Sequence, residues 1–190
     1  DYHLDALAAR SSACSTERWE LKRSFMRCYI DARAGQLDSA IEAGKHSIRL
    51  ASTLGRPRRE ALTHQVLGQI CRDRNDIEDA IHHSRKATQI FEQIGDTRNV
   101  AYLKNAMAML YAVDQRYEDS GPLLDAALEA LAHLEDTHAQ AIFMGNRGTI
   151  HLALDELVEA DECLWESLRI LDTAGIPRGR GFYEAYLGAT

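Results

Sequence analysis

The chain has 190 residues, 45% hydrophobic and 27% charged, a balance that supports a real core and excludes an intrinsically disordered segment. Only three prolines interrupt a composition rich in Ala, Leu, Glu and Arg, which favours helix over strand. The net charge of −7 argues against nonspecific nucleic-acid binding, and neither a membrane-length apolar run nor a signal-peptide pattern is present.

In chain order the sequence repeats itself every 40 residues without insertion. One column reads Ala40, Ala80, Ser120 and Ala160, small throughout; three residues earlier it reads Leu37, Ile77, Tyr117 and Leu157, apolar throughout. Further columns are Ile30, Ile70, Leu110 and Ile150, and then Ser47, Ala87, Ala127 and Ser167. Each unit reads as two helices. The first spans 18–33, 58–73, 98–113 and 138–153, with apolar residues at helical spacing, as in Val100, Leu103, Met107 and Leu110. A short polar link follows, and a link that short makes the two helices antiparallel. The second helix starts at Leu37, Ile77, Tyr117 and Leu157, where Asp38, Glu78, Asp79, Glu118, Asp119 and Glu159 complement the helix dipole.

Gly55, Gly95 and Gly175 mark the stops, because glycine accepts the positive φ found just past many helix ends. Glu135 breaks that column, so the third corner is expected to use a different turn. Pro57 and Pro177 suit a first helical turn, while Asp96-Thr97 and Asp136-Thr137 supply N-caps. Pro122 lies near the start of its helix, beside a weakening Gly121. Where hairpins cross closely, Cys28, Gly68, Ala108, Gly148 and Gly188 are expected to face the small column on the second helices.

These columns resemble tetratricopeptide repeats. The resemblance is carried by Leu67-Gly68, Ile70-Cys71 and Asn75-Asp76-Ile77-Glu78-Asp79-Ala80, and again by Met107 to Tyr111 and Arg116 to Ser120. The usual unit has 34 residues. A 40-residue unit is similar to the variety found in kinesin light chains, cell-polarity adaptors and bacterial regulators. The resemblance implies an all-α, α-α superhelix (solenoid) of antiparallel helical hairpins, about four full repeats with a partial repeat at each end. Its divisions would be 1–16 as the second helix of a preceding repeat, then 17–56, 57–96, 97–136 and 137–176, with 177–190 as a further first helix. On that register Leu4, Leu7, Ala8 and Cys14 occupy second-helix columns, and Arg178-Gly179-Arg180-Gly181-Phe182 is a helix start rather than an RNA-contacting tract. An array that begins and ends inside hairpins, with Asp1 in place of Met, reads as part of a longer protein and is expected to self-associate through an exposed end.

Catalytic and metal signatures are missing from this pattern. Adjacent His82 and His83 point about 100° apart on a helix, a poor chelating pair, and no HExxH, nucleophile elbow or phosphate-binding glycine loop occurs. Four cysteines at 14, 28, 71 and 163 contain no CxxC and read as free thiols in a reducing, cytoplasmic setting. Neither a cofactor nor an enzymatic activity is expected. The resemblance implies instead a protein- or peptide-binding scaffold within a larger bacterial regulatory or signalling protein, with no nucleic acid or membrane as partner. Its inner surface would carry Lys22, Phe25 and Tyr29; Leu62, Gln65, Gln69 and Arg72; Tyr102, Asn105 and Met109; and Ile142 and Thr149. An alternative is an effector sensor that binds a small molecule or signalling peptide and switches an attached DNA-binding or ATPase domain. Charge is uneven along the chain: residues 1–74 hold 13 Lys and Arg against 9 Asp and Glu, the remainder 9 against 20. Opposite potentials of that kind orient charged partners.

Overall fold

The computed structural model describes residues 2–175, with side chains from Ser15 onward. Expectations placed on 177–190, including Gly188 and the Arg178–Phe182 tract, and on the side chains of Leu4, Leu7, Ala8 and Cys14 lie outside the described residues. Eight helices and no strand occur among the described residues: α1 (Tyr2–Arg33), α2 (Leu37–Thr53), α3 (Pro57–Asp73), α4 (Ile77–Gln93), α5 (Thr97–Val113), α6 (Tyr117–Leu131), α7 (Thr137–Ala153) and α8 (Leu157–Thr173). The chain divides between Ile94 and Gly95 into two compact units. In the first unit α1 pairs with α2 and α3 with α4, and α2 stacks on α3. The second unit repeats the plan with α5–α6, α7–α8 and the α6–α7 contact. The fold class is all-α, of the helical-hairpin solenoid type.

The corners within hairpins share one backbone solution. Gly35, Asn75, Gln115 and Asp155 all have positive φ, between 60° and 75°. The next residue's N–H returns to the helix in every case: Gln36 to Asp31 O at 2.8 Å, Asp76 to Cys71 O at 2.8 Å, Arg116 to Tyr111 O at 2.8 Å and Glu156 to His151 O at 2.9 Å. These bonds satisfy carbonyls that the helix end would otherwise leave orphaned. Between hairpins, Gly55, Gly95 and Gly175 take the same positive φ. At the corner lacking glycine, α6 ends early at Leu131 and Ala132 stays in the right-handed region, so Glu135 does mark a different turn. The expected caps form: Asp96 Oδ1 accepts from Asn99 N at 3.3 Å, and Asp136 Oδ1 from Ala139 N at 3.2 Å.

One expected corner does not exist. The repeat register makes 1–16 the second helix of a preceding repeat, yet α1 runs unbroken from Tyr2 to Arg33. The position equivalent to Gly55 is Ser15 and that equivalent to Pro57 is Glu17, so the glycine that ends α2 and the proline that opens α3 have no counterparts here. The register shows the consequence. Ile70, Leu110 and Ile150 are buried, whereas Ile30 is 56% exposed on α1.

Close packing explains the small columns. Cys28, Ala40, Ala80, Ala108, Ser120 and Ala160 are all fully buried. A Cβ on Gly148 would meet Leu164 Cγ at 2.7 Å, and one on Gly68 would sit 3.3 Å from Ala80 O. Such sites accept no added methyl group without displacement. The buried hydroxyls are satisfied: Ser120 donates to Ala108 O at 2.9 Å, Ser167 to Ala141 O at 2.7 Å, and Ser47 shares a 3.0 Å bond with Thr63. In the first unit Cys28, Ala40, Val66, Leu67 and Ile70 form the core. In the second, one cluster gathers around Leu131 and Phe143 and another around Leu164 and Leu171.

Candidate functional site

Every residue expected on the inner surface lies on an odd-numbered helix, and none of the twelve is buried. In the first unit Lys22, Tyr29, Gln69 and Arg72 are exposed, while Phe25, Leu62 and Gln65 are half-buried. Phe25 packs against the core on one side and carries the Arg59 guanidinium over its ring at 4.2 Å on the other. Lys22 lies over Trp19, 5.3 Å from the ring centroid. These are cation–π contacts, which hold a cation in place without neutralising it. Arg72 differs: it donates to Asp73 at 2.9 Å, so its charge is locally compensated.

The second unit places Tyr102, Asn105 and Met109 on α5 and Ile142 and Thr149 on α7. Tyr102 stands edge-on to Phe143, with centroids 5.5 Å apart, and its hydroxyl donates to Asp136 Oδ2 at 3.0 Å. Burial, with the neighbouring Asp136 carboxylate, pushes the phenol above its usual range and keeps it a donor. Asn146 Nδ2 donates to Asn105 Oδ1 at 2.9 Å, bridging α5 and α7. Thr149 instead donates to Asn146 O at 2.7 Å, turning its hydroxyl back to its own helix. Asn146 escapes the register because the equivalent position in the preceding unit is Ala106.

Sequence reasoning also missed a cleft of about 640 Å³ in the first unit. Arg18 and Lys22 line it from α1; Arg56, Arg58 and Arg59 line it from the α2–α3 corner and the first turn of α3. Leu21, Leu62 and Ile94 supply apolar wall. No acidic side chain is among its lining residues. The run Arg56-Pro57-Arg58-Arg59 and the positive balance of residues 1–74 were the signals available.

The three described cysteines are poor nucleophiles. Burial, then Asp31, raises the Cys28 thiol to about 11, and burial likewise raises Cys71 and Cys163. Such thiols stay protonated near neutrality. No group of three or more His, Cys, Asp or Glu is placed to hold a metal among the described residues, and no described helix is long and apolar enough to cross a membrane.

Comparison with known proteins places this geometry. A family model described as soluble NSF attachment protein, SNAP, matches residues 6–169. No curated protein is significantly similar in sequence. Among solved structures, BtubC (BKLC) from P. vanneervenii superposes with a TM-score of 0.74 at 17% identity, over 82% of this chain and 64% of that one. Aspartyl phosphate phosphatase F from Bacillus subtilis gives 0.77 at 16% identity, over 90% of this chain and 44% of that one. The apo form of RapI gives 0.78 at 17% identity, over 90% and 49% respectively. This chain thus spans less than two thirds of each, and at these identities the likeness is one of fold: tetratricopeptide-like helical repeats.

Proposed function

Because the chain belongs to the soluble NSF attachment protein (SNAP) family of helical-repeat proteins, we propose that it is a non-catalytic scaffold that binds a protein or peptide segment. The contact surface in this reading is the exposed side of the odd-numbered helices, α1 and α3 in the first unit, α5 and α7 in the second. The observation that carries it is the state of the twelve inner-surface side chains: all remain at least partly accessible, although their helices bury the opposite side in the core. Aromatic rings, amides and cations alternate there, the mixture that gives a docking segment pockets for side chains and partners for its backbone. Paired helices already fixed by packing lose little entropy when a segment docks.

The finer setting, a cytoplasmic regulatory or signalling protein of bacteria, is part of the same proposal. It draws support from the fold shared with RapI and aspartyl phosphate phosphatase F. The phosphatase name belongs to that relative. Here the Cys28, Cys71 and Cys163 thiols are held protonated and the Tyr102 and Asn105 side chains are occupied with Asp136 and Asn146, which favours docking over turnover.

Panning a displayed random-peptide library on the 190-residue chain tests the proposal. Selected peptides should bind the Gln69→Ala/Asn105→Ala double variant at least about tenfold more weakly, with helicity by circular dichroism unchanged. Equal affinity for both proteins would place the contact surface elsewhere.

A further inference from the structure

From the first-unit cleft, which shares only Lys22 and Leu62 with the docking surface, we infer a binding site for a small organic polyanion: a compact apolar body bearing two or more phosphoryl or carboxyl groups. The inference goes beyond the docking of a protein segment and does not depend on it. Its volume, about 640 Å³, falls in the range of small-molecule pockets. Apolar side chains, Leu21, Leu62 and Ile94, form part of its wall, so a ligand with apolar surface gains by entering.

The polar lining decides the ligand's chemistry. All five polar side chains that line the cleft are cations, and four of them are arginines. Guanidinium and ammonium groups donate hydrogen bonds and accept none. A ligand must therefore bring acceptors, and negative ones are favoured because no lining carboxylate offsets the positive charge. Two of the cations, Lys22 and Arg59, rest on the rings of Trp19 and Phe25, which pre-position them with their charge intact. Arginine's planar fork matches a phosphoryl or carboxyl group with two parallel bonds.

The same lining disfavours an extended peptide. A peptide backbone presents N–H donors as well as carbonyls, and no Ser, Thr, Asn, Gln, Asp or Glu side chain lines the cleft to accept from them. The cations also come from two separate places, α1 and the α2–α3 corner, which suits anionic groups spaced across one small molecule.

Titration calorimetry on the whole 190-residue chain is the test, with ATP as the probe, pyrophosphate and adenosine as its anionic and apolar parts, and the peptide Glu-Glu-Leu-Glu-Glu as the rival. ATP should bind, pyrophosphate more weakly, and adenosine not measurably. Arg18→Gln/Arg56→Gln should weaken ATP at least about tenfold, while Arg169→Gln on α8 leaves it unchanged. Circular dichroism of each variant checks that the helices persist. Three results would each overturn the inference: no heat with ATP, equal ATP affinity in the double variant, or tighter binding of the acidic peptide than of ATP.

Discussion

His64 on α3 and His83 on α4 place their Nδ1 atoms 2.9 Å apart, so one neutral ring donates to the other and both cannot be protonated there together. Burial, reinforced by the charges of His83, His82 and Lys86, lowers His64 from 6.5 to about 4, and burial also lowers His83 despite the opposing pull of Asp79. Above pH 6.5 both folded and unfolded chains hold this imidazole neutral. As the pH falls below 6.5 the unfolded chain takes up a proton that the folded chain refuses, so stability is lost progressively down to about pH 4. The melting temperature should therefore decline through the upper part of that window, and His64→Gln should flatten the decline. Identical slopes for the two proteins would show that the pair does not contribute. At this scale the sequence was only partly legible. Glycines announced the corners at 55, 95 and 175, but Asn75, Gln115 and Asp155 adopt positive φ without glycine, and only their register with Gly35 hints at it. The His64–His83 pair was invisible because its partners are 19 residues apart on different helices.

At the scale of the element, α6 is the irregular member. It has 15 residues where every other even-numbered helix has 17, and Pro122 sits in its sixth position. Only the first four N–H groups of a helix lack an internal partner, so the proline removes a bond that Glu118 O would otherwise accept. The placement is thus costlier than its nearness to the helix start implied. Pro122→Ala should stabilise the chain by about 1–3 kcal/mol in urea unfolding, since the position is exposed and its neighbour Gly121 is uncrowded. A loss of stability would show that the proline fixes the turn preceding it. Periodicity revealed the hairpins themselves because one apolar stripe and one small column recur in each. It failed at α1, where the repeat register continues backwards but the residues that would break the helix do not.

For the whole molecule, the repeat explains which side chains serve packing and which stay accessible to solvent. Each unit buries its small columns between paired helices, which leaves the rings, amides and cations of the odd-numbered helices at least partly accessible. Burial could be inferred from sequence spacing, since spacing determines which side of a helix meets its neighbour. The cationic cleft could not, because its cations converge from α1, the α2–α3 corner and the first turn of α3, and each of them alone resembles an ordinary solvated residue. The most direct measurement of the central claim is amide chemical-shift mapping of the isotope-labelled chain with a library-selected peptide. The account predicts that perturbed amides lie on the odd-numbered helices, around Gln65 and Gln69 in the first unit or around Tyr102 and Asn105 in the second. Perturbations confined to the even-numbered helices α2, α4, α6 and α8 would contradict it.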